Sequence, residues 1–246
     1  MRRVIIHYHL FKNAGTSVDR LLTQNFTDQC SFKEFDGAVA IRAQAVRQWI
    51  QTNPDAVVFS SHTAVPPSPD IEGVEIFPIS FVRHPIDRIA SAYAFERTQG
   101  LANFGCTIAR NNSLAGYIDI HLSLGHNSQC RNFQLMHFST FVKQPDADLE
   151  HRAFHAADTL PFIGVVEQYD ASIERLDKYL RPHFPEFKPV VAKLNVTRNP
   201  DDPLEEKLSK IRAEIGDECY KKALEANKAD IILYERVVKR YSSRSA

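Results

Sequence analysis

The sequence predicts an α/β fold in which a mostly parallel sheet is covered by helices on both faces. Short apolar runs rich in β-branched residues alternate along the chain with longer segments whose apolar residues recur at helical spacing. Strands that alternate with helices are typical of parallel sheets, in which both faces of the sheet are buried. The length of 246 residues suits one substantial core, and we expect a single domain over residues 1–246.

The first elements are a strand, a turn and a helix. Residues 3–9 overlap the apolar run "VIIHYHL" and predict a strand, and the turn "FKNAGTS" follows at residues 11–17. A second helix over residues 41–51 ends at an Asn-Pro pair, and "AVVFSSH" then predicts a short buried strand. The helix after the first turn is indicated by the spacing of Val18, Leu21, Leu22 and Phe26.

The middle of the chain continues this alternation. The run "VEIFPISFV" predicts a third strand, although Pro78 cannot donate a hydrogen bond to a sheet ladder. Pro85 then occupies a typical first helical position, and Gly100 marks the end of that helix. The run "PFIGVVEQYDASIERLDKYL" predicts another short strand followed by an amphipathic helix. We expect a helical insertion over about residues 101–160, with segments at 115–123, 131–138 and 149–157, and C-terminal helices over about residues 204–241.

The composition narrows the classes of function. Hydrophobic residues make up 43% and charged residues 24% of the chain, as in ordinary globular proteins. The net charge is zero, so an anionic ligand must be held by a local cluster of basic groups, and bulk nucleic-acid binding is disfavoured. No apolar run approaches the roughly 18 residues that a membrane-spanning helix needs. The four cysteines form no C-x-x-C pair that would indicate zinc or a redox couple.

The turn "FKNAGTS" has the features of an anion site. A short turn between a strand and a helix directs backbone N–H groups and the positive end of the helix dipole at one point. Gly15 permits a close backbone approach, Thr16 and Ser17 add hydroxyl donors, and Lys12 adds a positive charge. The turn lacks the first glycine of the P-loop pattern G-x-x-x-x-G-K-[ST]. Taken alone, it is equally compatible with an ordinary tight turn that caps a helix.

A second group of polar residues lies in "SFVRHPIDRIASAY". Arg83 stands at the end of a predicted strand, and Ser91 lies two turns into the following helix. Helical side chains lean toward the N-terminus of their helix, so Ser91 can turn back toward Arg83, and the two together can clamp one phosphate. Taken separately, each residue favours a structural reading: a surface ion pair for Arg83 and a small residue at a packing contact for Ser91.

Together the motifs resemble those of sulfotransferases that use 3'-phosphoadenosine-5'-phosphosulfate (PAPS). "FKNAGTS" resembles the 5'-phosphosulfate loop of the carbohydrate, glycan 2-O-sulfotransferase-like branch of this family. "FVRHPIDRIASAY" resembles the family's 3'-phosphate motif, with its arginine, its R-x-P-x-x-R core and its later serine. "FIGVVEQYDASIERL" is similar to a later strand and helix of the family, and "LNVTRN" to its late polar loop. The two main motifs stand in family order about 70 residues apart, and the likeness runs from about residue 3 to residue 200.

The resemblance implies a P-loop-like fold, PAPS as donor, and in-line transfer of its sulfuryl group to a hydroxyl of a carbohydrate acceptor. Because this donor has one 5'-phosphate, the loop need not wrap a triphosphate or position Mg²⁺, and the missing glycine is expected. Thr197 and Arg198 are expected to close over the nucleotide, although they depart from the Arg-Lys-Gly pattern of the cytosolic branch. The residues expected to bind the donor are Lys12, Asn13, Ala14, Gly15, Thr16, Ser17, Arg83, Ser91, Thr197 and Arg198.

His62 is the candidate general base. It follows a strand predicted to lie in the central sheet, at the end where open α/β folds place their ligands, and a histidine accepts a proton near neutral pH. The resemblance gives a histidine after the second strand this role in glycan 2-O-sulfotransferase-like enzymes. The alternative is a loop histidine that caps the next segment, and Glu34 is a distant substitute as base. Lys12 joins His62 as a catalytic residue, because it can stabilise the charge that develops during transfer.

Two weaker signals concern a metal and the acceptor. His7 and His9 share one face of the first strand, so an H-x-H metal pair is conceivable, but no third ligand suggests itself. We favour packing or active-site lining for this pair and expect no metal.

The stretch "HNSQCRNFQ" resembles an acceptor-side segment of related enzymes, which implies that Arg131 contacts an anionic acceptor.

Other classes of function stay open. A P-loop kinase acting on a small molecule would require ATP and Mg²⁺, and a nucleotide- or glycan-binding module would bind without turnover. A hydrolase built from Ser61 and His62 is disfavoured because the chain has no G-x-S-x-G elbow. We expect a cytoplasmic enzyme of bacterial type, because the sequence starts on its first strand, with a trimmed Golgi lumenal domain as the alternative.

Overall fold

The computed structural model describes residues 1–189 and 202–242, which form parallel sheets flanked by helices. The strands are β1 (Arg2–Tyr8), β2 (Cys30–Phe32), β3 (Val58–Ser61), β4 (Val74–Ile79), β5 (Phe81–Val82) and β6 (Gly164–Val165). Within this part of the chain, β1 to β4 form a four-stranded sheet in the order β2-β3-β1-β4, and β5 pairs with β6. Every pairing between these strands is parallel.

Helices connect the strands and form the C-terminal part of the chain. α1 follows β1, α2 precedes β3, and the segment between β5 and β6 is helical. The helices are α1 (Gly15–Phe26), α2 (Val39–Thr52), α3 (Pro85–Thr98), α4 (Phe104–Asn111), α5 (Leu114–Ser123), α6 (Phe133–Ser139), α7 (Leu149–Thr159), α8 (Tyr169–Leu180), α9 (Leu204–Ala226) and α10 (Lys228–Ser242).

The side chains of β1 alternate between two buried faces of the sheet. Ile5 packs with Leu22 of α1 and Leu176 of α8 on one face. Ile6 packs with Trp49 of α2 on the other face. Because successive strand residues point to opposite faces, a strand covered by helices on both sides is apolar at consecutive positions. The run "VII" in β1 therefore follows from its central place in the sheet.

The remaining apolar side chains join further helices to this frame. One buried cluster packs α6, α7 and α10 against β5 and β6. Another packs α3, α4 and α5 against α9. Among the described residues, no helix combines the length and the apolar composition that crossing a membrane requires.

The predicted fold class is confirmed, and the differences are local. Pro78 lies inside β4 opposite Ile6, and β6 pairs only with Phe81 and Val82, so no described strand lies beside Pro78 on its other side. The sequence did not predict β2, which is short, or α4 as a separate helix. The predicted C-terminal helical stretch is two helices, α9 and α10, and α9 is interrupted at Gly216, whose φ is 79°.

Candidate active site

The predicted site residues meet at one edge of the sheet. β1 pairs in parallel with both β3 and β4. β5 begins one residue after β4 ends and continues in the same direction. The carboxyl ends of β1, β3 and β5 therefore face the same edge, where open α/β sheets bind ligands. The segments that leave these three ends carry Lys12, His62 and Arg83 respectively. His62, which the sequence predicts to follow a strand of the central sheet, does follow β3, and its role as a base stays a prediction.

The turn after β1 has an unusual backbone. Lys12 and Ala14 both adopt left-handed conformations, with φ angles of 65° and 61°. Residues other than glycine seldom do so, and such strain persists where the surrounding structure holds it, often at ligand sites. α1 begins at Gly15, so the N–H groups of Gly15 and Thr16 have no carbonyl of their own helix to bond. The turn therefore directs these N–H groups and the positive end of the helix dipole to one point, an arrangement that suits an anion.

Asn13 fixes this turn to the sheet. Its side chain is buried, and Nδ2 donates to the carbonyl of Phe81 at 2.7 Å and to Oε1 of Gln134 at 2.8 Å. Its backbone N–H donates to the carbonyl of Leu10 at 3.1 Å. Because these N–H groups are engaged within the protein, Asn13 shapes the turn rather than offering them to a ligand. The sequence did not indicate this contact with residue 134.

Lys12 carries its charge at the mouth of the turn. Its Nζ lies 4.1 Å from the centroid of the Phe95 ring of α3, which is cation–π distance. Burial lowers the pKa of Lys12, and the nearby Arg83 acts in the same direction. No carboxylate in the described part of the chain pairs with this ammonium group. Lys12 is therefore a half-buried cation whose N–H donors can meet an incoming anion.

Arg83 lies against the turn and is held there by α3. Its Nη1 donates to the carbonyl of Lys12 at 3.1 Å. Its Nε and Nη2 both lie 2.7 Å from Oδ2 of Asp87, one turn further along the chain. The side chains of Arg83 and Asp87 are 16% and 3% exposed, so this ion pair is mostly shielded from water. A guanidinium group has five N–H donors, and this arrangement leaves part of that capacity for a ligand.

The other predicted donor-binding residues are placed less directly. Thr16 is exposed at the start of α1, whereas Ser17 is buried and hydrogen-bonds Tyr169. Ser91 is buried on α3, 4% exposed, and its position near a phosphate stays a prediction. Thr197 and Arg198 lie outside the described residues.

Arg131, the predicted acceptor contact, has a partner within the protein. Its Nη2 donates to the carbonyl of Leu122 at 2.8 Å, which ties the segment before α6 to the end of α5. The structure gives it no contact with the turn or with His62. Its role toward an acceptor stays a prediction.

His62 is held with one ring nitrogen available. Its Nδ1 lies 3.1 Å from the carbonyl oxygen of His9. A carbonyl oxygen can only accept a hydrogen bond, so Nδ1 carries the proton and Nε2 keeps its lone pair. The residue is exposed, yet partial burial, followed by the neighbouring His9, lowers the pKa of His62. The ring is therefore neutral at neutral pH and can accept a proton through Nε2.

Glu34 lies close to His62, although no carboxylate stands near His62 in the sequence. Its Oε1 accepts from the backbone N–H of His62 at 3.1 Å. Its Oε2 accepts from the N–H of Thr63 at 3.0 Å, from the Thr63 hydroxyl at 2.8 Å and from the Ser61 hydroxyl at 3.2 Å. Both oxygens are thus occupied in holding the segment that carries His62. The contact joins segments 27 or more residues apart, which local sequence patterns do not reveal.

His7, His9 and Asp19 form a cluster that the sequence did not predict as a unit. Nδ1 of His7 lies 2.7 Å from Oδ1 of Asp19, and Nδ1 of His9 lies 2.8 Å from Oδ2. The Ser60 hydroxyl also donates to Oδ1 at 2.5 Å. Burial alone would raise the pKa of Asp19, but the charges and hydrogen bonds of the two histidines outweigh it and hold that pKa well below its usual range.

This cluster bears on the earlier question of a metal. Asp19 supplies the third donor that the sequence did not suggest, and donor atoms of the three residues lie within 4.8 Å of one another. The Nδ1 to carboxylate separations are hydrogen-bond lengths. The group is therefore a hydrogen-bonded network in this structure. One signal was present in the sequence: Asp19 lies one turn into α1, and helical side chains lean back toward the N-terminus.

Gly15 joins the turn to the histidines. A Cβ atom added at Gly15 would lie 1.9 Å from Cδ2 and 2.1 Å from Nε2 of His9, far inside contact distance. The His9 ring therefore lies directly against the first residue of α1. The same ring packs in a tilted arrangement against the ring of His62, with 3.7 Å between the ring centroids. Glycine at this position therefore lets the turn lie in contact with the histidine rings.

The geometry defines an α/β protein with unbonded N–H groups and a lysine at a helix N-terminus and a neutral histidine near them. Comparison with known proteins identifies the family. The sequence matches the sulfotransferase family over residues 1–235, and the chain belongs to that family. The chain is also 42% identical over 256 aligned positions to a protein of Archaeoglobus fulgidus that bears the name "Uncharacterized protein", an alignment covering 98% of both chains. Family membership supports an enzyme that transfers sulfuryl groups, and the mostly parallel sheet is consistent with the P-loop-like sulfotransferase fold.

Proposed function

We propose that this protein transfers the sulfuryl group of PAPS to a hydroxyl of a carbohydrate acceptor, with His62 as general base. The observation that carries the proposal is the contact between the two halves of the site. The His9 ring contacts both Gly15 of the turn and the ring of His62, so we place a group bound at the turn near Nε2 of His62.

The donor set at the turn suits the 5'-phosphosulfate end of PAPS. The hydrogen-bond donors there are Lys12, the N–H groups of Gly15 and Thr16, and the hydroxyl of the exposed Thr16. Lys12 adds a full positive charge, and the N-terminus of α1 adds the partial positive charge of the helix dipole. Arg83 contacts the Lys12 carbonyl and is proposed to bind the 3'-phosphate together with Ser91. Thr197 and Arg198 are proposed to close over the nucleotide.

The proposed chemistry is an in-line displacement. His62 Nε2 accepts the proton of the acceptor hydroxyl while that oxygen forms a bond to sulfur. The bond between sulfur and the bridging oxygen of the 5'-phosphate breaks, and 3'-phosphoadenosine-5'-phosphate leaves. Lys12 and the turn N–H groups stabilise the charge that develops on the bridging and sulfuryl oxygens. As in phosphoryl transfer, most of the rate enhancement would come from positioning and electrostatics.

The carbohydrate acceptor and the 2-O branch rest on the motif resemblance together with the position of His62. A hydroxyl acceptor requires removal of a proton, and His62 is a neutral histidine with an accepting nitrogen at the carboxyl edge of the sheet. Arg131 is proposed as a contact of an anionic group on the acceptor. A panel of hydroxylated glycans with labelled donor would identify the acceptor.

The test separates donor binding from chemistry. We expect His62→Ala to lower the rate of sulfuryl transfer by about 10²- to 10⁴-fold, the usual contribution of a general base. Its affinity for 3'-phosphoadenosine-5'-phosphate should stay within twofold of the unchanged protein. His126→Ala, which alters an exposed histidine in the loop after α5, is the matched control and should change neither quantity. Full transfer by His62→Ala would remove His62 from the mechanism.

A further inference from the structure

The hydrogen bonds of the histidine cluster fix the tautomers of its rings. The pKa of Asp19 is held low, so its carboxylate can only accept hydrogen bonds. Nδ1 of His7 and Nδ1 of His9 each face one of its oxygens, so both nitrogens carry protons. Burial lowers the pKa of His9, so its ring is neutral at neutral pH and its Nε2 atom, which lies against Gly15, is unprotonated.

His9 contacts His62 in two independent ways. Its backbone carbonyl accepts the Nδ1–H of His62, which sets the tautomer of the His62 ring. Its ring packs against the His62 ring in a tilted arrangement, with 3.7 Å between centroids and an interplanar angle of 41°, and so restricts the orientation of that ring. Because Asp19 holds the His9 ring, the carboxylate acts on His62 through His9.

We propose that Asp19 and His9 are positioning residues for His62: Asp19 fixes the ring of His9, and His9 fixes the tautomer and orientation of the ring that accepts the proton. This proposal rests on the proposed function for the role of His62. Neither Asp19 nor His9 was among the predicted catalytic or donor-binding residues. The sulfotransferase match covers both positions but assigns neither a role.

Several charged groups face His62 and determine its protonation. His9 comes from the end of β1, Asp19 from α1 and Glu34 from the segment after β2. From α2, Nη1 of Arg42 donates to the neighbouring carbonyl of Thr63 at 3.2 Å. Burial and the His9 ring lower the pKa of His62, whereas Glu34 and Asp19 raise it. The acid limb of the pH profile should therefore lie below 6.5, the ordinary histidine value.

Two variants should move that limb in opposite directions. Asp19→Asn removes a negative charge that raises the pKa of His62, so the acid limb of kcat/KM should move to lower pH. His9→Phe keeps an aromatic ring beside His62 and the backbone carbonyl but removes a ring whose charge, once it is protonated, opposes protonation of His62, so the limb should move to higher pH. Both variants should lower kcat by about 10²-fold because the base is less well held. Their KM for PAPS should change less than kcat.

The measurement has a control and a readout that does not depend on turnover. Asp28→Asn makes the same chemical change at an exposed carboxylate just after α1 and should leave the profile unchanged. NMR titration of ¹⁵N-labelled histidines, with His62→Ala used for assignment, follows the His62 ring directly in the full protein. We expect the His62 midpoint to fall in Asp19→Asn and to rise in His9→Phe.

The outcomes distinguish the two proposals. If the His62 midpoint moves as expected but the unchanged protein transfers no sulfuryl group to any acceptor, the positioning proposal stands and the proposed function fails. If transfer occurs and neither variant moves the His62 midpoint or the acid limb, the positioning proposal is wrong. A loss of activity with an unmoved limb indicates a merely structural role for Asp19 and His9 and also overturns it.

Discussion

The two sides of the first turn of α1 are built differently. On the anion side, Lys12 contacts an aromatic face, and Arg83 keeps part of its donor capacity beyond its contacts with Asp87 and the turn. On the histidine side, each Nδ1 of His7, His9 and His62 already has an oxygen partner. The anion side has donors left for a ligand, whereas the histidine side is already arranged by the protein. Binding and proton transfer should therefore respond separately to substitution.

The largest effect on the anion side is expected for Lys12→Ala. Loss of a donor to developing charge should lower kcat for sulfuryl transfer by about 10²- to 10³-fold. Lys33→Ala is the matched control, because Lys33 also lies over an aromatic ring, that of Phe35, at 5.5 Å from its centroid. Steady-state kinetics with saturating PAPS measure the effect. Equal kcat values for the two variants would remove Lys12 from catalysis.

Arg83→Ala should act on binding. We expect its affinity for 3'-phosphoadenosine-5'-phosphate to fall by about 1.5–3 kcal/mol, as for a hydrogen bond to a charged group. Arg181→Ala is the control: Arg181 also pairs with an aspartate four residues away, Asp177, but its side chain is 56% exposed. Calorimetric titration measures both affinities. Unchanged affinity in Arg83→Ala would refute the phosphate clamp.

Gly15→Ala should disturb both sides at once. The added Cβ would collide with the His9 ring, and overpacking of this kind costs about 1–3 kcal/mol of unfolding free energy. Gly125→Ala is the control, because nothing lies within 4 Å of a Cβ at Gly125. The double variant Gly15→Ala with His9→Ala should recover part of the loss in denaturant unfolding. If Gly15→Ala unfolds like its control, the close contact between the two sides is absent.

Ser91→Ala should give the smallest effect. A neutral hydroxyl contributes about 0.5–1.5 kcal/mol as a hydrogen-bond donor, so nucleotide affinity should fall by no more than that. Ser139→Ala removes another buried helical hydroxyl, on α6, and should leave affinity unchanged. Calorimetry under the same conditions compares the two. Indistinguishable affinities would leave Arg83 without its predicted partner.

The positions of Lys12 and His62 after strands of the sheet could be predicted because strands leave local patterns in the sequence. Apolar periodicity located β1 and β3, and parallel pairing then placed Lys12 and His62 at the same end. The roles of Asp19, Glu34 and Asn13 could not be predicted in this way. Their partners lie on other elements, such as Gln134, which is 121 positions from Asn13. Hydrogen bonds of that kind depend on how helices pack across the sheet, which periodicity does not specify.

Short strands and helices are also hard to predict from the sequence pattern. β2 has three residues and lies at the edge of its sheet, so it contributes little apolar pattern. α4 is recognisable in the structure by its cap, because the side chain of Asn103 accepts from the N–H of Cys106 at 2.9 Å. Pro78 weakened the prediction of β4, yet the strand forms because pairing with β6 begins only at Phe81. Whether a proline is tolerated in this strand therefore depends on which strands lie beside it.

The proposed function requires two anion contacts: the turn binds the 5'-phosphosulfate of the donor, and Arg83 binds its 3'-phosphate. Its most direct test is calorimetric titration of the protein with 3'-phosphoadenosine-5'-phosphate, adenosine 5'-phosphate, and ATP with Mg²⁺. We predict the tightest binding for 3'-phosphoadenosine-5'-phosphate, with adenosine 5'-phosphate weaker by about 10-fold or more because it lacks the 3'-phosphate that Arg83 is proposed to bind. Tighter binding of ATP with Mg²⁺, or equal binding of the two adenosine phosphates, would contradict the account.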